Sequence, residues 1–283
     1  MKPLPALVLH VGLHKTGTTS VQYICNNNRH LLNKYNIIYP EDRELTLGTP
    51  LHLALTTDIF SAQLLISRCS NINCNFVFMS NEGFGFSLIE VDDLVFQNFI
   101  QRLYSTYSDV IWVVSLRNDR DLLTSSAREY LDGSAFPMQG IDQFLISHVE
   151  KIRKLANLLK GRSLKIIDID GERDGKNWPS YFLSKVFDIE IEVPDSYQNL
   201  KKNKSINSLF SSIFRSFYHN IFSEHYYSVA VSEATERALT AINIDVAFES
   251  EFSNAMNNYI DDRVNNLMDN KNYRSIKKIF YED

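Results

Sequence analysis

Residues suited to holding an anion are concentrated near the start of the chain, in the segment HVGLHKTGTTS (His10–Ser20). Gly12 and Gly17 bound a loop, Lys15 lies inside it, and the hydroxyl residues Thr18–Ser20 follow it. Glycine permits backbone conformations and close approaches that other residues do not. If a helix begins directly after the loop, its first amides and its dipole attract negative charge. The segment therefore predicts an anion-binding site.

The position of the lysine distinguishes this loop from that of an ordinary nucleoside triphosphatase. A Walker A loop, GxxxxGK[ST], has lysine directly after its second glycine. Here Thr18 follows Gly17, and the lysine lies within the loop. The structural alternative is a glycine–threonine turn capped by hydroxyl groups, without a ligand. A second site is needed to decide between the two interpretations.

A second candidate site follows the most strand-like segment of the chain, DVIWVVSL (Asp109–Leu116). Such a β-branched, apolar run is typical of a central strand buried on both faces. Arg117 comes next, at the end of the strand where parallel sheets bind ligands. Ser125 lies about two helical turns further on if a helix begins near Asp119. We therefore expect Arg117 and Ser125 to hold one phosphate group together.

Short apolar runs alternate with segments of helical period along most of the chain. The predicted strands cover residues 6–11, 37–39, 75–80, 109–116 and 164–169, and the predicted helices start near 18 and 119 or span about 91–107 and 141–159. This alternation predicts an α/β fold, a P-loop-like parallel β-sheet flanked by helices. Beyond about Ser205 the pattern is helical. We expect one domain, with an α/β core over 1–204 and a helical C-terminal subdomain over 205–283.

Composition excludes several classes of protein. The chain has 283 residues, 44% of them apolar, which is enough for a packed core and argues against disorder. A net charge of −5 does not suit a nucleic-acid partner. Three cysteines without CxxC or HExxH spacing predict neither a disulfide framework nor a metal site. No apolar run approaches the roughly 18 residues that span a bilayer. We therefore expect a cytoplasmic protein without a transmembrane segment, and its oligomeric state stays open.

Taken together, HKTGTTS after the first strand and LRNDRDLLTSS after a later strand resemble the two nucleotide motifs of the sulfotransferase family. Three shorter segments are similar to the bacterial branch: HLAL at 52–55, SNE at 80–82 and NKS at 203–205. The resemblance extends over roughly residues 7–210. One departure is Asp119, where relatives frequently have proline, and it adds a carboxylate near the predicted phosphate site.

The resemblance implies a sulfotransferase fold and 3′-phosphoadenosine 5′-phosphosulfate (PAPS) as sulfuryl donor, with no metal required. In that family the first loop binds the 5′-phosphosulfate and the Arg…Ser pair binds the 3′-phosphate. Arg117 and Ser125 match that pair, and Asn203 and Ser205 are further candidates. The candidates for the 5′-phosphosulfate are His14, Lys15, Thr16, Gly17, Thr18, Thr19 and Ser20.

Transfer to an acceptor hydroxyl or amine requires stabilisation of developing charge and a general base. Lys15 is suited to receive the charge that builds on the leaving 5′-phosphate. Glu82, directly after a predicted strand, is one candidate base, and His52, whose imidazole titrates near neutral pH, is the other. Each also has a structural interpretation: Glu82 as a turn cap or ion-pair partner, His52 as a hydrogen-bonded structural residue. We expect His10, inside an apolar strand, to be a satisfied core residue.

Three functions are weighed. The first is a PAPS-dependent sulfotransferase acting on a carbohydrate, glycoconjugate or other hydroxylated acceptor, which suits the tyrosine- and asparagine-rich tail. The second is a P-loop kinase-like enzyme that uses ATP, against which the position of Lys15 argues. The third is a catalytically inactive nucleotide-binding protein. In that case substitution of Glu82 or His52 would have no effect, while Lys15→Ala would still weaken nucleotide binding.

Overall fold

The computed structural model describes residues 3–13, 16–40, 73–81, 84–133, 137–171, 177–193 and 246–281. Five strands within these ranges form one sheet, in the order β2-β3-β1-β4-β5, and every neighbouring pair is parallel. The strands are β1 (Ala6–Val11), β2 (Ile37–Ile38), β3 (Phe76–Asn81), β4 (Val110–Leu116) and β5 (Leu164–Asp168). The predicted parallel sheet flanked by helices is confirmed, and β1 has the predicted bounds.

Helices connect and flank these strands. Their bounds are α1 (Thr18–Asn27), α2 (Arg29–Lys34), α3 (Phe84–Leu88), α4 (Asp93–Thr106), α5 (Asp119–Gly133), α6 (Pro137–Leu159), α7 (Trp178–Phe187), α8 (Val246–Met268) and α9 (Ile276–Tyr281). The described part of the C-terminal region is helical, as expected. None of the helices in the described ranges is both long enough and apolar enough to span a membrane.

Apolar side chains cover the sheet on both faces, because successive strand residues point to opposite sides. One face carries Val8, Phe78, Val113 and Ile167, packed in one cluster with residues of α1 and α7 such as Val21, Ile24, Phe182 and Val186. The alternate residues Leu7, Leu9, Val77 and Val114 are also buried. Burial on both faces explains why β1 and β4 are almost wholly apolar in sequence.

The order of the strands creates a crevice between the carboxyl ends of β1 and β4. After β1 the chain crosses to β2 at one edge of the sheet, whereas after β4 it continues to β5 at the other edge. Since β1 and β4 are neighbours, their outgoing connections diverge. Such a topological switch point is where open α/β sheets bind ligands. The two diverging connections begin at Gly12 and Arg117, in the two segments that the sequence singled out.

The chain divides into two compact units. The first contains the sheet and comprises the described residues within 1–118, 150–200 and 276–283. The second comprises those within 119–149 and 201–275, where α5 and α8 contact each other. The first unit contains β1, β4 and their carboxyl ends, so the crevice belongs to one unit.

Candidate anion-binding site

A left-handed glycine ends the loop after β1 and begins the helix. Gly17 is the N-cap residue of α1 and has φ 75°, a conformation that favours glycine. Its carbonyl accepts from the amides of Ser20 and Val21, at 3.2 and 3.3 Å, which starts the helix. No acidic residue lies in the first turn of α1, so the positive end of the helix dipole is not neutralised by its own sequence.

Trp178 holds this glycine from a distant part of the chain. Its indole Nε1 donates to the Gly17 carbonyl at 3.3 Å. A Cβ on residue 17 would lie 2.6 Å from the same nitrogen. Trp178 is half-buried at the start of α7, after the N-cap Asn177, whose side chain accepts from the Ser180 amide. The shape of the loop therefore depends on a helix more than 150 residues away, for which the sequence analysis made no prediction.

Two of the predicted hydroxyl residues shape the loop from inside. Thr16 is fully buried and its hydroxyl donates to the Leu13 carbonyl at 2.5 Å. Thr18 is also buried, with its Oγ1 3.5 Å from that of Thr16. Its side chain occupies the space that a Cβ at Gly12 would fill. Gly12 is therefore needed for the close approach of Thr18, and both threonines stabilise the turn.

Thr19 and Ser20 differ from Thr16 and Thr18 in exposure. Both lie in the first turn of α1 and are exposed to solvent. Side chains at the first turn of a helix share its N-terminal end with the backbone amides. Among the described residues of the motif, these two hydroxyl groups are the ones accessible to a ligand from solvent, and they stay predicted phosphosulfate contacts.

A buried histidine links the three central strands just before they end. The Nδ1 atom of His10 lies 2.9 Å from Ser80 Oγ on β3, and its Nε2 atom lies 2.9 Å from Ser115 Oγ on β4. Burial lowers the pKa of His10 from 6.5 to about 3, because a charged imidazolium is costly away from water. The imidazole is therefore neutral, with one nitrogen donating and the other accepting. The prediction of a satisfied core histidine is confirmed.

The end of β3 is held beside the loop by two further contacts. Val11 of β1 is in register with Asn81 of β3. Gln22 of α1, which is buried, donates through Nε2 to the Ser80 carbonyl at 3.0 Å. The chain thus leaves β3 at the same edge as the loop, directly before Glu82. Gln22 was not singled out in the sequence; its position beside the apolar residues Val21 and Ile24 of α1 was the available signal.

Charged groups surround the ends of β4 and β5. Arg117, directly after β4, is half-buried. The backbone amide and the side-chain amide of Asn118 both donate to Asp170 Oδ2, at 2.5 and 3.2 Å. Lys277 of α9 forms an ion pair with Asp168 at 2.6 Å. Arg117 therefore leaves β4 at an edge of the sheet that carries charged groups of both signs.

The second unit contains Ser125, which is half-buried in α5. Its neighbour Ser126 is buried, with its hydroxyl 3.2 Å from His148 Nε2. At the start of the same helix, Asp119 accepts from the Tyr273 hydroxyl at 2.9 Å. The Asp119 carboxylate, which departs from the sulfotransferase motif that the sequence resembles, thus has a tyrosine partner that the sequence did not predict. Arg117 and Ser125 fall in different units, and their shared phosphate stays a prediction.

Six of the predicted site residues lie outside the described ranges: His14, Lys15, His52, Glu82, Asn203 and Ser205. The described candidates are Thr16 to Ser20, Arg117 and Ser125. The structure brings the loop and Arg117 to neighbouring strand ends of one sheet. The roles assigned to all of these residues stay predictions.

No family model matches the chain, and no curated protein matches it in sequence. Among solved structures it is similar to one described as a sulfotransferase from Alicyclobacillus acidocaldarius, with 15% sequence identity and a TM-score of 0.40. The match covers 84% of this chain and 97% of the other. With a TM-score of 0.40 the likeness is partial, and we base the functional proposal on this chain's own residues.

Proposed function

We propose that the protein is a PAPS-dependent sulfotransferase that moves a sulfuryl group to a hydroxyl or amine of an acceptor. The observation that carries the proposal is the position of the anion loop. It leaves β1 at the switch point of the sheet and begins α1 at a left-handed glycine, and Arg117 follows the neighbouring strand. A donor with phosphate groups at its 3′ and 5′ positions needs two anion sites a nucleoside apart. The segments that leave two neighbouring strand ends, β1 and β4, are suited to supply them.

The loop is also the reason to prefer sulfuryl transfer over ATP chemistry. Thr18 occupies the position of the Walker lysine, and its side chain is buried against Gly12. A lysine at position 18 would have to bury its charge in that space, which is unfavourable. Lys15, inside the loop, is the positive charge left for the phosphosulfate. These features support a donor other than a nucleoside triphosphate.

Each residue of the proposed site has one chemical task. Lys15 and the first amides of α1 stabilise the negative charge on the departing 5′-phosphate when its bond to sulfur breaks. Arg117 and Ser125, with Asn203 and Ser205 as further candidates, orient the nucleotide by its 3′-phosphate. Glu82 or His52 accepts the proton that the acceptor loses. The acceptor class we propose is a carbohydrate or glycoconjugate.

Nucleotide-dependent thermal stability tests the donor. Purified protein is titrated with 3′,5′-adenosine bisphosphate, ADP or ATP–Mg²⁺ while the melting temperature is followed. A ligand at 100 times its Kd adds about 2.7 kcal/mol to the free energy of unfolding. We expect this shift with the bisphosphate alone, and its loss in Lys15→Ala and Arg117→Ala.

Arg162→Ala is the matched control for Arg117→Ala. Arg162 is also half-buried, but it lies just before β5, at the amino edge of the sheet, with its guanidinium 5.2 Å from the Phe96 ring. The Arg162→Ala substitution removes one positive charge outside the proposed site, so the bisphosphate should still raise the melting temperature of this variant. The proposal would be contradicted if only ATP–Mg²⁺ raised the melting temperature, or if none of the three nucleotides did. Transfer of radiolabel from PAPS to a panel of carbohydrate acceptors then tests the acceptor class.

A further inference from the structure

We propose that His10 is a positioning residue, which fixes the three strand ends that carry the proposed site. It thereby sets the position of the acceptor-binding residues relative to the donor-binding residues. This inference rests on the proposed function for its catalytic meaning. It rests on geometry for the linkage itself: one imidazole lies 2.9 Å from a serine hydroxyl on each neighbouring strand.

The three linked residues lie near the carboxyl ends of their strands. His10 is in register with Ser80 on β3 and with Val113 on β4, and its ring reaches Ser115, two residues beyond Val113. Each stands two residues before a segment of the proposed site. His10 precedes the loop that starts at Gly12, Ser80 precedes Glu82, and Ser115 precedes Arg117. If one of these strand ends shifted, the segment of the proposed site that follows it would therefore shift as well.

The surroundings make the linkage strict. His10, Ser80 and Ser115 are all buried, and the ring of Phe182 covers the imidazole at 4.7 Å between centroids. Away from water, a polar group that loses its hydrogen-bond partner is strongly disfavoured. A strand end that slid away would leave a serine or an imidazole nitrogen unsatisfied. Imidazole suits this position because its two nitrogens reach partners on opposite sides.

The two hydrogen bonds act on different halves of the proposed reaction. The bond to Ser80 holds the end of β3, where Gln22 also donates a hydrogen bond to the Ser80 carbonyl. That strand end leads to the candidate base Glu82. The bond to Ser115 holds the end of β4, which leads to Arg117 and the 3′-phosphate. We therefore expect the two bonds to affect different kinetic quantities.

Removal of each serine hydroxyl tests this division. Ser115→Ala should weaken bisphosphate binding by about fivefold to tenfold and leave kcat within about twofold. Ser80→Ala should lower kcat by about the same factor and leave bisphosphate affinity within about twofold. Thr106→Val is the control, since it removes a half-buried hydroxyl that donates to the Arg102 carbonyl at the end of α4 and belongs to none of the strand ends. It should change only the melting temperature.

Substitution of the histidine adds a rescue experiment. In His10→Asn the side-chain amide replaces Nδ1 and can keep the bond to Ser80, so this variant should behave like Ser115→Ala. In His10→Gln the amide replaces Nε2 and can keep the bond to Ser115, so this variant should behave like Ser80→Ala. A residue that only filled space would not give opposite effects in the two variants. If the histidine variants fail to fold, the serine variants still decide.

Hydrogen–deuterium exchange of the ligand-free protein separates this inference from the proposed function. Ser80→Ala should speed exchange at the end of β3, and Ser115→Ala at the end of β4, with the other strand unchanged. If wild-type protein binds no bisphosphate and transfers no sulfuryl group, the proposed function fails while exchange still reports whether His10 holds the strand ends. If the protein is active but both serine variants change Kd, kcat and exchange alike, the positioning role of His10 is overturned.

Discussion

The two sides of the crevice between β1 and β4 are held by different kinds of interaction. On the β1 side, His10, Thr16 and Gln22 are buried and use neutral hydrogen bonds of 2.5 to 3.0 Å. On the β4 and β5 side, contacts involve charged groups that water reaches, such as the ion pair between Lys277 and Asp168. Buried neutral hydrogen bonds fix one geometry, whereas exposed ion pairs exchange partners easily. The comparison indicates a preformed β1 side, which ends at Gly17, and an adaptable charged rim at the ends of β4 and β5.

The largest effect should come from the tip of the preformed side. Gly17→Ala adds a Cβ to a residue with φ 75° and places it against the Trp178 indole. The left-handed backbone and the clash together should lower the free energy of unfolding by roughly 2–5 kcal/mol. Chemical denaturation measures this loss.

Gly161→Ala is the control for the backbone alone. Gly161 has φ 73°, and among the described residues other than its chain neighbours no atom lies within 4 Å of the position of its Cβ. The Gly161→Ala substitution should lower the free energy of unfolding by roughly 1–2 kcal/mol, which is the cost of the left-handed backbone alone. Equal losses in the two variants would show that Trp178 does not constrain the loop, and the preformed side would then be no stiffer than an exposed turn.

An intermediate effect should appear as pH dependence of the preformed side. His10 has a folded-state pKa of about 3 against 6.5 for an unperturbed histidine. Between these values the unfolded chain binds a proton that the folded protein refuses, so stability is complete above pH 6.5 and falls as the pH is lowered. From pH 6.5 to 5 the loss should be about 1.6 kcal/mol.

His10→Gln isolates this contribution, because glutamine does not titrate. Denaturation curves of wild type and variant at a series of pH values give the difference, in which the titration of carboxylates cancels. The stability of the variant should fall less steeply between pH 6.5 and 5. Parallel curves would mean that the imidazole is protonated in the folded protein and that the neutral hydrogen bonds assigned to it are wrong.

The smallest effect should come from the charged rim. Side chains of Lys277 and Asp168 are 30% and 31% exposed, so water screens their ion pair. Lys277→Met should lower the free energy of unfolding by about 0.5 kcal/mol at low salt, and less at high salt. Lys271→Met, an exposed lysine in the turn before α9, gives the effect of the charge change alone. A loss of several kcal/mol from Lys277→Met would place the rim among the rigid parts of the molecule.

Local sequence patterns predicted the strands well and the contacts between them poorly. Burial on both faces leaves a continuous apolar run, so β1 and β4 could be located closely. The predicted helix after the loop has a break at Asn28, whose side chain donates to the Ile24 carbonyl and ends α1. α7 had readable signals, with Asn177 as N-cap and Pro179 in the first turn, but no pattern near Trp178 indicates that it contacts Gly17.

In the candidate site, too, local sequence predicted which residues take part but not the contacts that they make. Loop composition identified the hydroxyl residues as a group, but it could not tell the inward-facing Thr16 and Thr18 from the exposed Thr19 and Ser20. That distinction depends on the left-handed turn at Gly17 and the packing of Thr18 on Gly12. The partners of His10 are 70 and 105 residues away. Only the order of the strands brings them together, and strand order is a property of the whole chain.

The contact between Trp178 and Gly17 gives the protein an optical probe of its own. The sequence contains two tryptophans. Trp112 is fully buried in β4, so its fluorescence reports the sheet interior, whereas Trp178 is half-buried and its indole N–H donates to the Gly17 carbonyl in the loop after β1. A ligand that moves the Gly17 peptide would change the environment of Trp178 and leave that of Trp112 unchanged. If a ligand binds at this loop, as proposed, its binding would therefore be readable from the emission spectrum of the unlabelled protein.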